Sequence, residues 1–310
     1  MSESTTQSVG QGGDVPELVE RFLKDLERQE TSPRTRASYR LDLLHFFRWF
    51  AQTVGDAPAP EAVTPTDVRE YRGYLVNVER RQPATVNRRL AALRRFFHWA
   101  KAMGLAKELP TENVKGVTSA PRAPRWLEKR DVDRLIRTVE RHGNTRDLAI
   151  VLTLRHTGVR VSELCGLTLS DIELSDRKGS LIVRSGKGSK YRVLPLNVDA
   201  RRAIADYLQV RPTVSTDALF VGQRGEGLKP HGVESLVAKY ARLAGLEGVT
   251  PHTLRHSFAK HTLDAGANLV AVAALLGHQR LETTAIYTTP SQRDLENAVD
   301  RLAVEEARGR

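Results

Sequence analysis

Cleaving a phosphodiester without a metal takes a nucleophile for phosphorus, cations for the non-bridging oxygens and an acid for the leaving oxygen. The sequence holds candidates for each in separate segments. Arg160 follows Thr157-Gly158-Val159 at the start of a short predicted helix. There its rigid fork of donors adds to a positive helix terminus and suits a phosphate. Glu163 can orient it across one turn, although a surface i,i+3 pair has the same spacing. His252, Arg255 and His256 lie in His-Thr-Leu-Arg-His, which on a helix sets His252 beside the other two. His252 can move a proton near neutral pH and Arg255 can grip a phosphate. A zinc site on the two histidines lacks both a His-Glu-x-x-His pattern and a supporting cysteine pair. His256 and His261 read as core histidines. His278 leads out of a helix that Gly277 ends, by itself a structural position.

Lys187 stands between Gly186 and Gly188 at a turn. The glycines allow close backbone approach to a ligand, so Lys187 is either an acid that reaches into a groove or a solvated turn lysine. Lys190 and Arg192 are candidate phosphate contacts. Tyr287, in Thr-Ala-Ile-Tyr, is either a core tyrosine or a nucleophile. In the second case it needs nearby cations to favour phenolate, because a free phenol titrates near ~10. A Walker-type phosphate loop is missing, as is any carboxylate cluster for two-metal catalysis. Cys165, the single cysteine, lies in an apolar helix and reads as buried and inert.

These residues need elements to hold them. The chain has 310 residues, enough for two domains. Residues 1–13, rich in Ser, Thr, Gln and Gly, read as a disordered tail. They lack the basic start and apolar stretch of a signal peptide. Helical spacing begins with Leu18, Phe22 and Leu26. Thr31 or Ser32 caps a second helix with Tyr39, Leu43, Phe46 and Phe50 on one stripe, and Arg36 and Arg40 on another face. Thr64-Pro65 opens a third helix and Pro83 a fourth, whose stripe is Val86, Leu90, Leu93, Phe97 and Ala100. Arg88, Arg89, Arg94 and Arg95 decorate its other faces. Residues 14–108 thus read as a basic helical bundle. The three prolines within 109–124 mark a linker.

From residue 125 onward the pattern is mainly helical with one β-hairpin. Helices are predicted over Trp126 to Val139, Asp147 to Thr157, Arg160 to Leu167, Val198 to Gln209, Gly232 to Ala244, Pro251 to Ala265, Leu269 to Leu276 and Leu281 to Tyr287. Strands are predicted over Ser180 to Arg184 and Tyr191 to Leu196. A last amphipathic stretch, Gln292 to Glu305, sets Leu295, Val299 and Leu302 on one stripe. Lys and Arg number 48 against 37 Asp and Glu, a net charge of +11. This excess favours a polyanion, with nucleic acid ahead of a membrane surface. The lone cysteine fits a reducing, cytoplasmic setting, and no apolar run approaches the ~20 residues of a membrane span.

Five segments in order resemble the tyrosine recombinase (phage integrase) family, Xer-type members above all. They are Thr-Gly-Val-Arg-Val-Ser-Glu-Leu at 157–164, Gly-Lys-Gly-Ser-Lys at 186–190, His-Thr-Leu-Arg-His at 252–256, Leu-Leu-Gly-His at 275–278 and Thr-Ala-Ile-Tyr at 284–287. The likeness extends into the first domain through Thr-Val-Asn-Arg-Arg-Leu-Ala-Ala-Leu-Arg-Arg-Phe-Phe. The resemblance implies a mainly α fold with a small sheet, arranged as a two-domain C-clamp on double-stranded DNA. Residues 14–108 would form a SAM-like core-binding domain and 125–310 the catalytic domain. It implies that Arg160 and Arg255 clamp the scissile phosphate, supported by Glu163, and that Lys187, or else Lys190, protonates the leaving 5′-oxygen. His252 and His278 would assist, and Tyr287 would form a 3′-phosphotyrosyl link. No cofactor would be needed, because that link conserves the phosphodiester energy.

It further implies a homotetramer on two sites, or one shared with a related recombinase, with a DNA translocase as a further partner. The short N-terminus argues against an additional arm-binding domain. Two rivals stand beside this reading. A non-catalytic DNA-binding protein would share the basic face but has no use for the tyrosine. A type IB topoisomerase would share the chemistry, but the amphipathic C-terminal stretch favours a multimer and hence strand exchange.

Overall fold

The computed structural model describes residues 15–55, 59–118, 125–184, 191–278 and 281–287. Two compact units divide between Pro121 and Arg122. The 1–13 tail, most of the proline-rich end of the linker, the hairpin tip with Lys187 and Lys190, and the 292–305 stretch lie outside the described residues.

The first unit contains α1 (Val15–Arg28), α2 (Pro33–Val54), α3 (Pro65–Gly73), a π-helical turn at Tyr74–Val78 and α4 (Pro83–Ala102). The starts follow local chemistry. Ser32 Oγ accepts from the Thr35 amide at 3.2 Å. Thr64 and Asp67 form a reciprocal box, Thr64 N–H donating to Asp67 at 2.8 Å and Asp67 N–H to Thr64 at 3.3 Å, which satisfies amides a helix start leaves open. The apolar stripes meet in an aromatic core of Phe22, Phe46, Phe50, Tyr71, Phe96 and Phe97, all buried. Phe22 and Phe96 pack edge to face with centroids 5.5 Å apart, an arrangement ring quadrupoles favour.

The second unit contains α5 (Lys129–His142), α6 (Thr145–Thr157), α7 (Val161–Cys165), β1 (Ile172–Leu174), β2 (Gly179–Arg184), β3 (Tyr191–Pro195), α8 (Val198–Val210), α9 (Pro230–Leu243), α10 (Pro251–Asp264), α11 (Leu269–Leu276) and α12 (Glu282–Ala285). Ala149, Ile150, Val151, Leu152 and Leu154 of α6 are all buried, so this helix is enclosed and the others pack around it. The strands form an antiparallel sheet in the order β1-β2-β3, with Leu181 opposite Leu194 and Val183 opposite Arg192.

Three expectations change. β1 was not predicted, because three residues carry too little alternation to register. Residues 126–128 are not helical: the Leu127 amide donates to Ser257 Oγ at 2.9 Å, tying this segment to α10, and α5 begins at Lys129. Cys165 is half-buried rather than enclosed, and burial pushes its thiol up to about 11, which keeps it protonated. Among the described residues, no helix is long and apolar enough to cross a membrane.

Candidate active site

Residues from α7, β3, α10, the end of α11 and the α12 turn converge on one place. Arg160 is exposed at the start of α7. Its backbone N–H donates to Glu163 at 2.7 Å and its guanidinium to the same carboxylate at 2.8 Å. Arg192 of β3 donates to both Glu163 oxygens, at 3.1 and 2.8 Å, and through Nε to the Leu275 carbonyl at 3.0 Å. Burial opposes a charged carboxylate at this position. The hydrogen bonds from Arg192 and Arg160 outweigh it and hold Glu163 at about 2. Glu163 is therefore an anion that fixes two guanidiniums.

Arg255 of α10 is buried. It donates to the Gly158 carbonyl at 2.5 Å, to the Leu276 carbonyl at 2.8 Å and to His278 Nε2 at 2.9 Å. Both carbonyls belong to helix ends, where backbone acceptors go unused within the helix. Gly158 has φ +63°, and a Cβ there would stand 2.4 Å from Phe258 Cδ1. Gly277 has φ +66°, and a Cβ would meet the Arg192 guanidinium at 2.8 Å. Glycine at these two turns lets the chain reverse while arginine and backbone stay in contact. Burial and the charge of Arg160 lower Arg255 to about 10, so it remains charged at neutral pH.

His278 Nδ1 pairs with Thr284 Oγ1 at 2.8 Å, which joins the end of α11 to the α12 turn. Burial, with the charges of Arg255 and Arg160 behind it, pushes His278 down to about 4. Burial and the same two arginines also lower exposed-faced His252. Both imidazoles are neutral at pH 7 in this state. The charge of Arg160 thus bears on His252, Arg255 and His278 alike. Arg160 and Arg192 share the Glu163 carboxylate while Arg255 is held by backbone carbonyls, an excess of positive charge that suits an anionic phosphodiester.

Tyr287 is buried, packed with Phe258, Val272 and Leu276. Its hydroxyl is hydrogen-bonded to Nδ1 of His256. Burial raises the phenol, and among the described residues the charge of Arg255 pulls the other way, so phenolate is disfavoured in this state.

The structure brings together Arg160, Glu163, His252, Arg255, His278 and Tyr287. Lys187 and Lys190 lie outside the described residues. Arg192 departs from the expectation of a surface phosphate contact: its guanidinium is engaged inside the site. The alternation of β3 carried that signal, since Leu194 and Leu196 are buried and Arg192 shares their parity. His256 departs from the reading of a core histidine, because it touches the tyrosine hydroxyl. Its place one helical turn after His252 was the available clue. His261 is a core histidine, buried and paired with Arg155 at 2.9 Å. Thr284 was not singled out at all.

In the first unit, Arg89 is not a surface residue. It is buried and donates to Glu79 at 3.2 Å, with His45 within 3.0 Å and the Asp42 carboxylate 3.7 Å away. Arg88 pairs with the same Asp42, and Arg94 donates to the Val114 carbonyl at 2.5 Å. Arg95 is exposed and donates to Gln29. Arg36 pairs with Glu27 and Arg40 with Glu20.

Known proteins resemble the chain along most of its length. Residues 125–293 match the phage integrase family and residues 19–104 match the phage integrase N-terminal SAM-like domain. The tyrosine recombinase XerC of Thermodesulfovibrio yellowstonii is 35% identical over 295 residues, covering 91% of this chain and 95% of the relative. The XerC of Roseiflexus castenholzii is 38% identical over 291 residues, covering 88% of each. Among solved structures, the XerH site-specific recombinase bound to palindromic difH superposes with a TM-score of 0.75 at 23% identity, over 92% of this chain and 84% of that one. The Tn1549 transposon integrase bound to transposon right-end DNA gives 0.73 at 19% identity, over 94% and 100%. These two establish the shared fold. The motifs, the converging site and relatives matched over most of their length make one conclusion: the chain belongs to the phage integrase family and is a site-specific tyrosine recombinase with Xer-type relatives.

Proposed function

We propose that Arg160 and Arg255 bind the scissile phosphate of duplex DNA and that Tyr287 attacks it to form a 3′-phosphotyrosyl link. The observation that carries this reading is the convergence of exposed Arg160, paired with Glu163, and buried Arg255, held by the Gly158 carbonyl, near enough for their charges to act on each other, in the unit that holds Tyr287. Lys187 protonates the departing 5′-oxygen, with Lys190 the alternative. His252 and His278 contact the phosphate and assist proton movement, and Glu163 holds Arg160 in place. The free 5′-hydroxyl of a partner strand then attacks the link and releases Tyr287. The covalent link conserves the bond energy, so no cofactor enters the cycle.

Duplex DNA is the partner that best suits the net charge of +11, and the DNA-bound XerH and Tn1549 integrase structures support it. Residues 14–108 act as a core-binding domain and 125–310 as the catalytic domain; of the 109–124 segment between them, Leu109, Val114 and Val117 pack on the core of the first. Arg36, Arg40, Arg88, Arg94 and Arg95 are the phosphate-contact candidates of the first domain. Four subunits act on two sites, all copies of this chain or in pairs with a related recombinase, and a DNA translocase is a further candidate partner. The setting is the cytoplasm, and the reaction resolves or integrates circular DNA.

The test is a nicked suicide substrate carrying the cognate site, resolved on a denaturing gel. The parent chain is expected to form a covalent protein–DNA adduct. Tyr287→Phe is expected to bind DNA and form none. Adduct formation by Tyr287→Phe would remove Tyr287 from the nucleophile's role.

A further inference from the structure

The hydroxyl of Tyr287 has a partner that the roles assigned so far leave unused. His256 sits on α10, one turn beyond His252, and its Nδ1 is hydrogen-bonded to the Tyr287 oxygen. The His256 and Tyr287 ring centroids are 5.3 Å apart, tilted by 54°. His252 packs edge-on against His256 at 4.1 Å. The groups that face His256 are His252 and Arg255 from its own helix, His278 after α11 and Tyr287 after α12. None is a carboxylate. Among the described residues nothing nearby favours an imidazolium, and burial followed by His252 and Arg255 pushes His256 down to about 4. The ring is neutral at pH 7, and a neutral imidazole with a bare Nδ1 accepts a hydrogen bond from the phenol O–H.

We propose that His256 is the proton acceptor for Tyr287 in strand cleavage and the proton donor to it in rejoining. This rests on the reading of Tyr287 as nucleophile. In cleavage the phenol O–H bond breaks and its proton passes to His256 Nδ1. The phenol oxygen forms a bond to phosphorus, the bond from phosphorus to the 5′-oxygen breaks, and that oxygen takes a proton from a separate acid, Lys187 in the scheme given. In rejoining, the 5′-hydroxyl gives its proton back to the amine of that acid as its oxygen bonds to phosphorus, the phosphotyrosyl bond breaks and His256 returns its proton to the phenol oxygen.

Magnitudes decide when the proton moves. With the phenol raised above its ordinary value by burial and His256 pushed down to about 4, transfer before attack is steeply uphill. His256 therefore does not create a standing phenolate. The proton moves as the new bond to phosphorus makes the phenol acidic, while a phosphate beside Arg255 adds the negative charge that makes His256 more basic. The parked hydroxyl also stays protonated until DNA arrives.

The experiment measures single-turnover adduct formation on the nicked substrate. It compares the parent chain, His256→Asn, His256→Ala and Lys187→Ala. Each is tested with the ordinary 5′-oxygen and with sulfur in that bridging position, since a thiolate leaves without a proton. Asparagine keeps a polar group near the Nδ1 position but takes up no proton at neutral pH. Both His256 variants are expected to lose roughly 10²–10³ in rate on both substrates, whereas sulfur restores Lys187→Ala. Free imidazole is expected to restore part of the His256→Ala rate, in proportion to its neutral form. The acid limb of the parent's pH–rate profile is expected to vanish in His256→Asn.

His256→Asn within about threefold of the parent overturns the proposal, and so does a loss that sulfur repairs, which belongs to the leaving-group side. A loss that imidazole leaves untouched and that keeps the acid limb marks a packing role and equally overturns it. A parent chain that binds the site and forms no adduct overturns the nucleophile reading beneath the proposal, an outcome distinct from all of these.

Discussion

Arg192 on β3 grips both oxygens of Glu163 on α7, at 2.8 and 3.1 Å, with side chains only 16% and 15% exposed. The same guanidinium holds the Leu275 carbonyl at 3.0 Å, so one residue ties the sheet to both helix ends that carry the catalytic candidates. Lysine keeps the charge and loses the fork. Arg192→Lys is expected to cost about 2–3 kcal/mol in urea unfolding, near the lower range for disturbing a buried pair. Adduct formation should fall by roughly 10–100-fold as Arg160 loses its brace. The salt dependence of DNA binding should stay the same. A flattened salt slope with unchanged stability would make Arg192 a phosphate contact instead.

Gly158 combines φ +63° with a position 2.4 Å from Phe258 for any added Cβ. Gly158→Ala must therefore bear a left-handed backbone penalty and move a packed ring. The two together are expected to cost roughly 2–4 kcal/mol, read as a lower thermal midpoint. Because the Gly158 carbonyl accepts from Arg255, the adduct rate should fall with it. A variant as stable as the parent would show that the turn has room this structure does not give it.

Acid should destabilise the second unit in two stages. His256 and His278 stay neutral down to about 4 when folded, against 6.5 unfolded. The unfolded chain binds their protons first, so stability falls as pH drops from about 6.5 to about 4. After discounting for partial solvent screening, each contributes about 1–3 kcal/mol. Glu163 has the opposite sense of shift, from 4.5 to about 2. Its contribution is complete above about 4.5 and is lost as pH falls towards 2. Urea midpoints at pH 7, 5 and 3 should decline throughout. His278→Asn should flatten the upper stage and Glu163→Gln the lower one.

Two arginines on α4 should separate cleanly. Arg89 is buried among Glu79, His45 and Asp42, so Arg89→Ala takes one partner from Asp42, which keeps Arg88, and one from Glu79, which keeps Arg81, and should cost about 2–3 kcal/mol. Fluorescence of Trp49 and Trp99 under urea would report it. Arg95 is exposed. Arg95→Ala should leave stability within about 0.5 kcal/mol and, if the residue neutralises a phosphate, reduce the salt slope of DNA binding by roughly one. An unchanged slope would leave Arg95 as a solvated residue.

Much of the first unit was legible because its helices start on local signals. Ser32-Pro33 and Thr64-Pro65 name their own boundaries, and the stripes through Phe22, Phe46 and Phe97 name the buried face. The failures have physical reasons. Residues 126–128 carry helix-compatible side chains, yet a hydrogen bond from Leu127 to Ser257, 130 positions away, ties them outside the helix. Arg89 lies three residues after Val86 and four before Leu93, on the edge of the buried stripe. Reading arginine as a surface residue overrode that periodicity.

By itself, the sequence determined the order of the helices and of the hairpin, the helix end at Gly277 and most of the residues able to carry phosphoryl chemistry. These depend on side-chain type and short-range spacing, which a linear chain displays. Only the tertiary structure decided which of those residues touch. Arg192 and Glu163 are 29 positions apart, and His256 and Tyr287 are 31. Periodicity states which face of a helix or strand a residue occupies, but not what packs against that face. The partner is chosen by long-range burial, where each buried charge or hydroxyl must find the group that satisfies it.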